Sequence, residues 1–117
     1  MKRILALIVF LSVVIITSMA YAHPPSDIDI TFDLKTKILT AVIIHNTSNP
    51  VSHYIEKVDV GLSGEEVIEH KISREDNNQA QTVMYLIPDA KNDDVISVEG
   101  YCSLSGKLKK EITINIE

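Results

Sequence analysis

From Ile28 onward, apolar residues fall at every second position. Ile28, Ile30, Phe32 and Leu34 alternate with Asp29, Thr31 and Asp33, a spacing that sends one set of side chains to each face of a strand. The same period recurs over Ile38 to His45, Tyr54 to Leu62, Glu66 to Ile72, Gln81 to Ile87, Val95 to Leu104 and Lys107 to Ile116. Turn-forming residues separate these runs: Lys35-Thr36-Lys37, Ser63-Gly64, Pro88 to Asp94 and Ser105-Gly106, with a polar loop at Ser73 to Asn78. Seven short strands without a helical stripe predict an all-β chain, a seven-stranded antiparallel immunoglobulin-like β-sandwich. Ile96, Val98, Gly100, Cys102 and Leu104 then share one core face.

The first 22 residues follow the plan of a secretory signal. Lys2 and Arg3 give the positive start, Ile4 to Ile16 is apolar, and Ala20-Tyr21-Ala22 supplies the small-x-small cleavage pattern. The apolar run falls short of the roughly 18 residues that a spanning helix needs. We therefore expect cleavage after Ala22, one domain over residues 23–117, and a periplasmic or secreted protein without a membrane segment once processed.

Setting Lys2 and Arg3 aside leaves nine basic against sixteen acidic side chains, a formal charge of −7. Such a surface repels phosphate backbones and anionic lipid, so neither nucleic acid nor a membrane surface is an expected partner. Exported domains of this size commonly rely on disulfides, yet Cys102 is the sole cysteine. Its thiol is then a small buried hydrophobe, a point of intermolecular oxidation, or a metal ligand. No serine is paired with a histidine and an acid at a hydrolase-like spacing.

Three histidines sit where ends and loops meet strands: His23 at the start of the processed chain, and His45 and His53 at either end of the loop "HNTSNPVSH". A sandwich gathers strand ends from distant parts of a chain, so these three and the Cys102–Gly106 turn are candidates to share one end. Imidazole suits iron, copper and zinc, and a thiolate adds softness. His70, inside a strand among charged residues, reads as a solvated strand histidine.

The run "NPVSHYIEKVDV", preceded by His45 and followed later by "CSLSG", resembles the iron domain of superoxide reductases, the desulfoferrodoxin and neelaredoxin family. The order His23, His45, His53, Cys102 matches that family's order of ligands. The resemblance implies equatorial histidines at 23, 45 and 53, an axial thiolate at Cys102, and a mononuclear non-haem iron that reduces superoxide to hydrogen peroxide by one electron. It also implies a separate electron-donor protein. Lys107, just past the turn, is the cation expected to attract the anion. Ser105 stands where the family's Cys-x-x-His-Gly turn carries a histidine, and His45 is followed by Asn46 rather than proline. The family's Glu-Lys pair ahead of its first histidine has no counterpart once His23 is residue one.

Cleavage before His23 frees an α-amine whose ordinary pKa near 8 lets it bind metal around neutrality. The His-Pro start of an exported sandwich also resembles copper-resistance carriers that hold Cu(II) through an N-terminal histidine. The alternative expectation is therefore a non-catalytic copper carrier or sensor.

Overall fold

Leu39, Ala41 and Ile43 have no exposed surface, and Ile55, Val58, Ile96 and Val98 face them with none either. Burying these two sets of alternating side chains against each other is the main stabilising contribution. It forces two sheets to stack. The computed structural model describes residues 23–115; the expected signal peptide, residues 1–22, lies outside them.

The strands are β1 (Asp27–Asp33), β2 (Ile38–Ile44), β3 (Ile55–Leu62), β4 (Glu65–Lys71), β5 (Ala80–Leu86), β6 (Val95–Cys102) and β7 (Lys107–Thr113). One sheet has the order β1-β2-β5 and the other β4-β3-β6-β7, with every pairing antiparallel. The expected all-β, seven-stranded architecture is therefore present, with strand ends within three residues of the sequence reading. In constant immunoglobulin domains the fourth strand joins the sheet of the first two. Here β4 pairs with β3 instead, through the tight Ser63-Gly64 turn, where both residues adopt positive φ.

Two corrections concern single residues. β6 ends at Cys102, so Leu104 leaves the core face and is 58% exposed in the following turn. His70 is only half solvated: it lies opposite buried Val58 on the inner side of β4 and its Nδ1 stands 2.7 Å from the Tyr85 hydroxyl on β5. Sequence alternation had His70 among charges, but its register puts it between the sheets.

The His70–Tyr85 pair closes the seam between edge strands β4 and β5. At the other seam Lys110 of β7 donates to Asp27 of β1 at 2.7 Å. That hydrogen bond, with the adjoining cation, holds the Asp27 carboxyl below its ordinary value. A depressed carboxylate pKa contributes stability above the ordinary carboxyl range, and the contribution is lost as pH falls through the lowered value. Both groups are solvated, so the effect is small and screened by salt.

Among the described residues no helix is long and apolar enough to cross a membrane.

Two outcomes are expected. Ile43→Ala, emptying a fully buried site between the sheets, should destabilise the protein by about 2–5 kcal/mol in urea unfolding. Lys110→Met should narrow the difference in unfolding midpoint between neutral and strongly acidic pH; an unchanged difference would show that the seam pair is energetically silent.

Candidate metal centre

Strand alternation carries His45 inward. Leu39, Ala41, Ile43 and His45 form one inner column, and the imidazole is as fully buried as the aliphatics before it. Its backbone is fixed by His45 N–H donating to the Gln79 carbonyl at 2.9 Å. The loop that follows is stitched down on both sides. Thr47 N–H donates to the Asn78 carbonyl, His53 N–H to the Asn49 carbonyl, and Glu75 N–H to the Pro50 carbonyl, all at 2.9–3.0 Å. Asn49 Oδ1 accepts from Val51 N–H at 3.0 Å, the local turn that Asn favours. His53 is thereby returned to the same end of the sandwich.

His23 arrives from the other direction. Gly106, in the turn between β6 and β7, has φ +81°, and a Cβ there would stand 2.8 Å from the Pro24 Cβ. Only glycine both adopts that backbone and admits Pro24 so closely. Pro25 is buried behind it, and Ser26 N–H donates to the Ile44 carbonyl at 2.9 Å. These contacts seat His23 over the end of β2.

The three rings converge. Centroid separations are 5.0 Å for His23–His45, 5.1 Å for His23–His53 and 4.7 Å for His45–His53, with planes inclined at 52–86°. One ring nitrogen from each lies within 4.8 Å of the others. Two nitrogens on one ion stand at most about 4.2 Å apart, so small ring rotations would close them on a single metal. Nδ1 of His23 lies 3.0 Å from the Pro24 carbonyl, and that of His45 lies 2.7 Å from Glu75 Oε1. Carbonyl oxygens only accept, so His23 Nδ1 carries hydrogen and leaves Nε2 bare. Nε2 of His45 and Nε2 of His53 are buried and have no hydrogen-bond partner. Buried polar atoms are rarely left so, and a cation is what a set of inward-facing imidazole nitrogens would satisfy. Burial, with His45 and His23 beside it, holds the His53 imidazole below its ordinary value; neutral imidazole is the form that binds metal.

Cys102 is not brought into this group. Its sulfur is absent from the set of mutually close ligand atoms. It lies on the inner face of β6, 6% exposed, opposite Ile55, with Leu104 N–H directed at it from 3.5 Å. The turn that carries it is nevertheless bound to the histidine loop: Tyr54 N–H donates to Ser103 Oγ at 3.1 Å and Ser103 N–H to the Tyr54 carbonyl at 2.8 Å. Lys107 points elsewhere. It pairs with Tyr101, whose side chain leaves the opposite face of β6 from Cys102, and its Nζ sits 5.5 Å from the Tyr101 ring centroid and 3.9 Å from Glu99. The cation expected to draw an anion to the site is thus on the outer face of the four-stranded sheet, beside a carboxylate. Ser105 is exposed in the turn.

Glu75 is the residue that sequence reasoning missed. It is fully buried. Burial pushes its carboxyl above the ordinary range, while the hydrogen bond with His45 pulls the other way. Nothing separates it in sequence from its neighbours Arg74 and Asp76, both exposed. A second acidic group, Asp59, Glu66 and Glu69, lies on the outer face of the four-stranded sheet, with Glu66 and Glu69 exposed and Asp59 partly buried. Asp59 there pushes the Glu66 carboxyl upward by like charge.

Compared with family models, curated proteins and solved structures, the chain has no match.

The seating of His23 can be tested at Gly106. Gly106→Ala adds both a strained φ and a clash with Pro24, and should destabilise by about 1–3 kcal/mol. Chemical shifts of His23 should move in that variant while those of His70, at the distant seam, should not.

Proposed function

We propose that this chain is an exported transition-metal-binding protein in which His23, His45 and His53 hold one divalent ion. The observation that carries the reading is the convergence of three imidazoles, two of them with buried Nε2 atoms that lack any partner. Three neutral nitrogens suit copper and zinc, with copper(II) highest in the general order. In a chain beginning at His23, the α-amine adds a further nitrogen. With no sulfur in the group and Lys107 turned to the outer face, the site supports holding and passing an ion more directly than reducing an anion. A periplasmic or secreted carrier or sensor follows.

The second reading is a non-haem iron centre of the superoxide reductase type. The position of Cys102 favours it: the Ser103 backbone is hydrogen-bonded to Tyr54, next to His53, and Gly106 packs on Pro24, next to His23. Iron with an added thiolate would supply one-electron chemistry toward superoxide, and a separate electron-donor protein would be its partner.

The processed protein is expected to bind one equivalent of Cu(II) or Zn(II), and His45→Ala and His53→Ala are each expected to weaken binding by at least about 10-fold. One extra residue ahead of His23 should lower copper affinity further if the amine is a ligand. Loaded with Fe(II) anaerobically and then oxidised, a protein showing a thiolate-to-iron absorption band that Cys102→Ser abolishes would establish the second reading. Failure to bind any of these ions would remove both.

A further inference from the structure

His45 is a polar ring placed where the fold demands an apolar one, and only one of its two nitrogens is satisfied. Nδ1 is 2.7 Å from Glu75 Oε1, both side chains have no exposed surface, and Nε2 has no partner. Among the described residues, the ion pairs formed by lysine side chains do not include Glu75. Among the described residues its ion-pair partner is His45, with the like charge of Asp76 also nearby.

The backbone around the carboxylate is pinned, while the carboxylate itself is held through Oε1 to His45 and leaves Oε2 buried without a partner. Glu75 N–H donates to the Pro50 carbonyl at 3.0 Å. The next residue is fixed by a reciprocal exchange with buried Gln81: Asp76 N–H donates to Gln81 Oε1 at 3.0 Å, and Gln81 Nε2 donates to Asp76 Oδ1 at 3.2 Å. Thr82 N–H adds a bond to Asp76 Oδ2 at 2.9 Å. Placing a long acidic side chain in the interior on so fixed a loop is unexpected, because a buried charge without a countercharge is strongly unfavourable.

We propose that Glu75 is a positioning residue for the metal centre: it accepts the Nδ1 hydrogen of His45, fixing the ring so that bare Nε2 faces His23 and His53, and it supplies the negative charge that three neutral imidazoles lack. The inference rests on the metal-binding reading for its purpose, though not for the tautomer it assigns. Ligating histidines regularly donate their second ring N–H to a carboxylate, which fixes orientation and raises donor strength. A divalent ion bound by neutral rings in a buried place leaves its charge uncompensated, and Glu75 is the carboxylate in contact with the group. His23 shows the same arrangement in weaker form, with the Pro24 carbonyl as acceptor.

The experiment has two arms on the processed protein. In the first, long-range proton–nitrogen NMR correlations on metal-free protein read the His45 tautomer. Hydrogen on Nδ1 with bare Nε2 is expected; hydrogen on Nε2 overturns the proposal. In the second, Cu(II) affinity is measured by competition in wild type, Glu75→Gln and Glu75→Ala, with the Cu(II) electron paramagnetic resonance spectrum recorded for each. Glu75→Gln keeps an acceptor for Nδ1 and loses the charge, and is expected to bind about 10-fold more weakly with wild-type nitrogen couplings. Glu75→Ala loses both, and is expected to bind about 100-fold more weakly with altered couplings. Circular dichroism establishes that each variant is folded. A folded Glu75→Ala with wild-type affinity and spectrum overturns the role in metal binding. A wild-type protein that binds no Cu(II), Zn(II) or Fe(II) while showing the Nδ1 hydrogen removes the metal reading and leaves the tautomer assignment standing.

Discussion

At the end of β2, strand alternation continues one residue further than hydrophobicity does. Leu39, Ala41 and Ile43 fill the space between the sheets, and the next inward position is His45, equally buried. A buried imidazole must find partners or carry an energetic penalty of a few kcal/mol. The structure around it is arranged to meet that demand. The 73–79 segment bends back to deliver Glu75, the 46–54 loop returns His53, and the chain's first described residues lie across the top with His23. The apolar core and the polar site are therefore products of one pattern, the first satisfied within the sheets and the second by loops.

Closure of the sandwich is handled separately from the site. Each seam between the sheets has its own polar clasp, His70 with Tyr85 and Asp27 with Lys110. Neither involves the three converging imidazoles, and the end carrying them is joined instead by loop contacts, among them Pro24 on Gly106.

The strands were legible because period-two alternation and glycine or proline turns are local signals. The gathering of His23, His45 and His53 was also legible, since all three fall at strand ends and a sandwich collects its ends. What was not legible depends on facing and distance. Lys107 follows the turn closely in sequence, but parity places it with Tyr101 on the far side of β6, where Glu99 meets it. His70 reads as solvated among Glu69 and Lys71, yet register sets it opposite Val58. Cys102 occupies the inward position that alternation assigns, which makes it part of the core layer and leaves it outside the imidazole group. Glu75 could not be singled out within Ser73 to Asn78, because only tertiary packing distinguishes it from the charges on either side.

The contact between Pro24 and Gly106 joins the beginning of the described chain to its last hairpin. His23 has no firm seat until β6 and β7 are paired and the turn between them has its left-handed glycine. During folding the third imidazole must accordingly arrive late, after the most distant segments in sequence have met. On the metal-binding reading proposed above, a partly folded chain holds two imidazoles at most and would grip an ion weakly, so completion of the body and competence to retain an ion become a single event.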